Sequence, residues 1–401
     1  MKIYNITIWL GLTAYFFGIF FSNSVLQIAI GILLCCSGHI LRWKYQSSNI
    51  EIIDIAIITF FFSGILAWLI SPKNSETYTH LMHHLALLST IPVSYIFVHK
   101  KRPTILEFAY IAVFFAAITA SAGIANYIRN PFRAYGFFAG PYSLANIMVL
   151  SLPFSIALLM YSKKWNWFRI FTLLSIALQT AALWLTFTRG AIGGVIIGFG
   201  AGLLIWYKQV ADKSSKRIKK PVYIYLSFVG LILSLMLNSQ DLRINPISYF
   251  SPDARAVVDL SSGRLTIIKE ALAIQQKNIE QGNWSNILFG YGLRSRKTVS
   301  EFKTGGWESD YLGVLMNQGV FGLFCVLWIY FLLFKKVREK LMAANGSRYY
   351  PFYWAVAVCA IAFWIMSFVT SELNGMNSSA QIAILFALLA SASNSDCLGI
   401  A

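Results

Sequence analysis

The sequence predicts an all-α polytopic membrane protein of about twelve transmembrane helices, with one large loop on its outer, periplasm-like face. Three observations carry this expectation. Of 401 residues, 57% are apolar and only 12% are charged, whereas charged residues make up roughly a quarter of a soluble domain. The apolar residues fall in runs able to cross roughly 30 Å of hydrocarbon. Lys and Arg are dense at every second junction between runs and sparse at the others, the pattern that sets orientation in a membrane.

The runs, in order, are Ile6–Phe21, Val25–Leu41, Ile52–Ile70, Leu85–Val98, Ile105–Ser121, Ser143–Tyr161, Phe168–Phe187, Ala191–Tyr207, Val222–Leu237, Tyr311–Phe334, Phe352–Thr370 and Ala380–Ala392. The fourth and last are short, and Pro92 in the fourth predicts a tilted, broken or partly re-entrant crossing. Lys2 precedes the first run, but a second run follows almost at once without a small-x-small cleavage pattern. The first run is therefore read as a retained helix. Cys35, Cys36, Cys325, Cys359 and Cys397 lie in apolar runs or the C-terminal tail, so no structural disulfide or thiolate metal site is expected.

Charge decides the orientation. The N-terminal side and every second junction carry 20 of the 33 Lys and Arg residues; the other short junctions carry only Lys73, Arg129, Arg133 and Arg189, and the long loop carries 9. By the positive-inside rule both termini are expected to be cytoplasmic and the long loop outside. The net charge of +17 is then mostly a topology signal, and no nucleic-acid partner is needed to explain it. Three regions result: spans one to nine over 1–237, the loop over 238–310, and spans ten to twelve over 311–401.

Within the loop, Pro246 and Pro252 predict an irregular entry. Ser261 and Ser262 then read as the N-cap of a helix of about eighteen residues that Gly282 ends, with Leu265, Ile268 and Leu272 as one apolar stripe. Such a helix fits the membrane surface or the bundle. Leu288–Leu293 reads as a glycine-bent turn and 294–306 as a mobile polar stretch.

Four elements on the outer side carry residues suited to chemistry. The first is Tyr127–Ala145, with Arg129 and Arg133. The second is Thr186–Ala191, with Arg189. Ser262-Gly263-Arg264 forms the third, with Gly290 and Gly292 downstream; the fourth is Glu308–Leu312, followed by Asn317–Phe324. In this order they resemble the O-antigen ligase and O-antigen polymerase superfamily of bacterial cell-surface polysaccharide enzymes, from about Ala120 to Phe324. The resemblance implies a GT-C-like helical architecture in the bacterial inner membrane. It also implies glycosyl transfer from undecaprenyl-pyrophosphate-linked oligosaccharide at the outer leaflet, without nucleotide sugar, cofactor or required metal. Membrane lipids and a chain-length regulator are the other candidate partners.

The residue types suit that activity. Cleaving a sugar–pyrophosphate bond leaves negative charge on a diphosphate, and arginine offers planar bidentate donors for phosphate oxygens. Arg189 and Arg264 are the primary candidates. Each has a structural alternative, Arg189 snorkelling to lipid headgroups and Arg264 sitting solvated in a first helical turn. The acceptor hydroxyl needs a proton acceptor. The ligases have a histidine at the start of the motif that here begins with Glu308, and this chain's five histidines, His39, His80, His83, His84 and His99, all lie far upstream. Glu308 is thus the expected base, with Asp310 as second choice and as helix cap. Arg129, Arg133, Arg294, Arg296, Tyr311 and Glu372 are further substrate-binding candidates.

His80, His83 and His84 share a helical face, but only Glu76 could join them as a ligand, so an interfacial histidine cluster is the reading preferred over a metal site. Glu107, Glu51 and Asp54 fit either proton relay or hydrogen bonding within the bundle. A polymerase joining lipid-linked repeat units is the first functional reading, because the loop histidine is missing. A ligase acting on lipid A-core is second, and a lipid-oligosaccharide flippase is the alternative of another class.

Overall fold

The structure is a computed structural model that describes residues 2–46, 51–71, 75–100, 103–138, 140–162, 165–210, 230, 264–300, 306–369 and 376–391. Every regular element among them is an α-helix. These are α1 (Lys2–Phe21), α2 (Asn23–Gln46), α3 (Ile52–Ile70), α4 (Ser75–Leu88), α5 (Thr90–Lys100), α6 (Ile105–Arg129), α7 (Pro141–Tyr161), α8 (Trp167–Leu185) and α9 (Arg189–Val210). After the segment up to 263 come α10 (Arg264–Glu280), α11 (Trp284–Phe289), α12 (Arg296–Val299), α13 (Asp310–Ala343), α14 (Tyr350–Val369) and α15 (Met376–Ser391). The expected span Val222–Leu237, the loop entry with Ser261 and Ser262, Glu372 and Cys397 lie outside the described residues.

Eight helical stretches are long and apolar enough to cross a membrane, with three shorter apolar helices at Ile6–Phe21, Asn23–Cys36 and Met376–Ala390. The chain is a multi-pass α-helical membrane protein. The fourth crossing, Thr77–Val98, starts earlier than its apolar run and is broken, as Pro92 predicts. A proline ring clashes with the carbonyl four residues back, here Leu88, where α4 stops.

The acidic residues near span ends act as caps. Thr104 Oγ1 accepts from the Glu107 amide at 3.2 Å while Glu107 Oε2 accepts from the Thr104 amide at 2.8 Å, a reciprocal capping box. Glu51 and Asp54 form the same motif before α3, and Glu51 also pairs with Lys336 on α13. This hydrogen bonding accounts for all three acids.

Buried polar side chains tie the helices together. Gln179 on α8 donates to Ser155 of α7 at 2.8 Å and accepts from Ser151 of α7 at 2.9 Å, the interhelical bonding that substitutes for a hydrophobic drive inside lipid, and it also donates to Ser175 one turn back on α8 at 2.7 Å. Gln318 on α13 accepts from Ser63 of α3 at 2.6 Å and lies 3.2 Å from His84 Nε2 of α4. α9 runs against α14 so closely that a Cβ on Gly198 would stand 2.8 Å from the Val358 carbonyl.

α13 is kinked at Gly319, which has φ 69° and ψ −168° inside the helix. The break frees carbonyls that lipid cannot satisfy. The incoming segment satisfies them: the Tyr291 amide donates to Met316 O at 2.9 Å and the Gly292 amide to Asn317 O at 3.0 Å.

Candidate functional site

One end of the bundle gathers the ends of α3, α6, α8 and α14 with the starts of α4, α7, α9 and α13, and the 264–300 segment is fastened there. Its first component is the turn from α8 into α9. The Ala134 amide donates to Leu185 O at 2.7 Å, Arg133 Nε donates to Thr186 O at 2.7 Å, and Arg133 Nη2 donates to Thr188 Oγ1 at 3.2 Å. With its guanidinium 5.3 Å from the centre of the Tyr142 ring, Arg133 clamps the turn that presents Arg189. Arg189 is half-buried at the first position of α9.

The second component is the start of α13. Ser309 Oγ donates to Ser367 O at 3.1 Å, the Tyr311 hydroxyl donates to Trp364 O at 3.4 Å, and the Tyr311 ring lies 4.5 Å from that of Phe368. These contacts fasten the Glu308 turn to the last turn of α14. α9 meets α14 with Gly194 beside Ala362 and Met366. Five residues nearer the helix start, about 7.5 Å at 1.5 Å per residue, Arg189 is level with that same last turn. The fold therefore carries Arg189 and Glu308 to one end of α14.

Glu308 is half-buried and makes no hydrogen bond among the described residues, so its carboxylate is available. Asp310 is fully buried at the first position of α13, where the helix dipole favours a carboxylate. The cap position itself belongs to Ser309.

The third component is the segment after α11. Leu293 N donates to Ser71 Oγ at 2.6 Å, and Ser295 donates to Asn317 Oδ1 through its amide at 3.1 Å and its hydroxyl at 2.7 Å. Trp307 Nε1 closes the set by donating to Ser295 Oγ at 3.0 Å. Residues 294–300, expected to be mobile, are instead fixed, and they include the short helix α12. Of the two arginines here, Arg296 is buried, donates through Nη1 to Gly306 O at 2.7 Å and lies over Trp307. It is a strut. Arg294 is half-buried and makes no hydrogen bond or ion pair among the described residues.

Among the described residues, the non-glycine positions with positive φ are Phe187 (51°), Arg294 (61°) and Glu308 (58°). Such conformations cost on the order of 1–3 kcal/mol each and persist where surrounding structure enforces them, often at functional sites. All three lie at this end of the bundle, one in each of the three components.

Arg264 opens α10, half-buried, on a different element from Arg189: α10 packs on α11 and α13, and α9 on α14. The loop helix and its stop at Gly282 (φ 68°) match expectation, but its apolar stripe is oriented otherwise. Leu265, Ile268 and Leu272 are exposed, while Ile267 and Ala271 are buried against Trp307 and Met316. Arg129 is exposed at the end of α6. Among the described residues no three His, Cys, Asp or Glu side chains are placed to share a metal ion. An open cavity of about 720 Å³ lined by Tyr110, Tyr161, Asn166 and Arg348 lies at the opposite end and holds none of these residues.

Sequence reasoning gives no part to Ser71, no role to Asn317, and reads His80 only as one of an interfacial histidine cluster. Asn317 stood within a recognised motif without a role, and its role is to grip Ser295. His80 is visible as part of an i, i+3, i+4 cluster, but nothing in the sequence shows that the Arg294 charge bears on it.

The fold and site define a multi-pass helical membrane protein with arginines and a carboxylate, Glu308, that has no hydrogen bond among the described residues, gathered at one end of its bundle. A family model described as O-antigen ligase matches residues 172–327, from α8 into α13. Over that stretch, somewhat under half of the chain, the match supports a likeness to the O-antigen ligase and polymerase superfamily. The matched stretch contains Arg189, Arg264, Arg294, Arg296, Glu308, Asp310 and Tyr311. No curated protein matches the chain significantly.

Proposed function

We propose that the chain is a polymerase that joins undecaprenyl-pyrophosphate-linked oligosaccharide units at the outer leaflet. The observation that carries this reading is the coincidence of the family match with a half-buried, unengaged Glu308 brought level with Arg189 by α14. In the proposed step an acceptor sugar hydroxyl attacks the anomeric carbon of the donor glycan. The bond from that carbon to the diphosphate oxygen breaks, and its electron pair leaves with the diphosphate. Glu308 takes the hydroxyl proton. Arg189 and Arg264 converge on the departing charge, where bidentate donors act most strongly as the charge develops. No metal is assigned a part in this step.

The ligase reading, with lipid A-core as acceptor, shares all of this chemistry. The carboxylate in place of the family's loop histidine favours the polymerase. The family match gives the flippase alternative no support.

Arg189→Lys and Arg264→Lys test the diphosphate role. A point charge replaces a bidentate fork, and each variant should lose about tenfold or more in transfer, the equivalent of one charge-assisted hydrogen bond, with membrane insertion intact. Wild-type polymer in both would remove the role. Supplying purified protein with lipid-linked repeat units alone, or with lipid A-core added, separates polymerase from ligase by product.

A further inference from the structure

Arg294 is a cation the fold goes to some length to hold. Its backbone is left-handed at φ 61°, and the residues on either side are bonded to other elements, Leu293 to Ser71 of α3 and Ser295 to Asn317 of α13. The turn can approach α3 this closely only because residue 292 is glycine, since a Cβ there would stand 2.6 Å from Ser71 Oγ. All this geometry delivers a guanidinium that has no acid and no carbonyl to bond among the described residues, with Nε buried and unpartnered.

The Trp68 and Tyr78 rings, 5.5 Å apart, bring the start of α4 to the end of α3, beside Ser71. His80 is next on that helix. It lies 5.4 Å from the His83 ring, its Nδ1 is buried without a partner, and the Arg294 charge bears on it. A half-buried cation near an imidazole with an unused nitrogen, and with no anion bonded to it among the described residues, is costly unless a ligand supplies the negative charge.

We propose that Arg294 and His80 form a second anion site, distinct from that of Arg189, which holds the phosphate of the sugar-accepting substrate. The assignment rests on the glycosyl-transfer reading above. It deepens that reading by giving the enzyme two lipid-phosphate sites on either side of the Trp307–Ser309 turn, one for the donor that loses its diphosphate and one for the acceptor that keeps its phosphate. Arginine supplies the charge and the fork; histidine supplies one further donor from a separate helix.

The test uses the full chain in phosphatidylcholine nanodiscs, which present no anionic headgroups, with radiolabelled geranylgeranyl diphosphate as probe. Wild type should bind two equivalents. Arg294→Gln and His80→Gln should each weaken one equivalent by about tenfold and leave the other, while Arg189→Gln weakens the other. His80→Gln keeps the test decisive should Arg294→Gln perturb its strained turn. One equivalent in wild type, or two undiminished equivalents in both Arg294→Gln and His80→Gln, would overturn the site.

Turnover then identifies the source of the phosphate. A raised KM for a lipid-linked repeat unit assigns it to that diphosphate, a raised KM for lipid A-core assigns it to the core phosphates, and no change with either acceptor overturns the acceptor role. Failure of the broader reading looks different. There, Arg189→Gln and Glu308→Gln would both leave transfer at wild-type rates whatever happens at Arg294.

Discussion

Glu308 sits in a left-handed turn, and Gln has the same unbranched carbon skeleton as Glu, so Glu308→Gln leaves the backbone cost unchanged. That makes Glu308→Gln a clean substitution: shape and hydrogen bonding persist and only the proton acceptor is lost. Chain extension should fall by about 10²-fold or more at unchanged protein level. On the proposed mechanism Glu308→His should retain part of the activity, because an imidazole can also accept the hydroxyl proton. Asp310→Asn should act differently. Its carboxylate is wholly buried at a helix start, so the variant should lower the melting temperature along with activity. Normal polymer from Glu308→Gln together with loss from Asp310→Asn at unchanged stability would move the base to Asp310. Arg133, a substrate-contact candidate in the sequence, has a structural part in the fold. Two hydrogen bonds and the Tyr142 ring commit its guanidinium to the turn before Arg189, and no pattern in the sequence distinguishes a clamp from a ligand.

At the scale of elements, the latch between α11 and the kink of α13 is the feature on which the site's geometry depends. A Cβ on Gly319 would stand 2.3 Å from the Leu288 carbonyl, and one on Gly290 would stand 2.5 Å from the backbone at Asn317 and Gln318. Gly282, at φ 68°, has nothing within 4 Å of the same position. Gly282→Ala incurs a positive-φ penalty of about 1–2 kcal/mol, whereas Gly319→Ala, at φ 69° and ψ −168°, enters a region essentially reserved for glycine and also forces two backbones apart. Thermal unfolding in detergent should show a clearly larger fall for Gly319→Ala; equal falls would mean that the latch is not tight.

The sequence revealed the helix after Arg264, its stop at Gly282 and the glycine turn at 290–292, because each depends on local propensity. It did not reveal the kink. A single glycine in an apolar run looks like ordinary transmembrane composition, and its conformation is set by a partner about thirty residues away. The stripe on α10 misleads for a similar reason. At 100° per residue Leu265, Ile268 and Leu272 share one face and Ile267, Ala271 and Ile274 another, and periodicity does not say which of two apolar faces meets the bundle.

For the whole molecule, the arrangement of charge and the arrangement of the site agree on a direction. Glu51 pairs with Lys336 and Arg348 stacks on Tyr349 at one end; Arg189, Arg294 and Glu308 gather at the other. The first end belongs to the Lys- and Arg-rich junctions and the second to the sparse ones, so by the positive-inside rule the site end is expected outside. Lipid-linked glycan presented at an outer leaflet would meet it there. In a background with all five native cysteines replaced by alanine, a single cysteine in place of Gln281, exposed just after α10, should react with a membrane-impermeant maleimide in intact cells. One in place of Asn345, exposed beyond α13 at the other end, should react only after permeabilisation. The reverse pattern would put Arg189 and Glu308 on the cytoplasmic side, away from an outer-leaflet donor, and the glycosyl-transfer reading would fail with the topology. The expected pattern would leave the two proposed anion sites facing the compartment in which both lipid-linked substrates are presented.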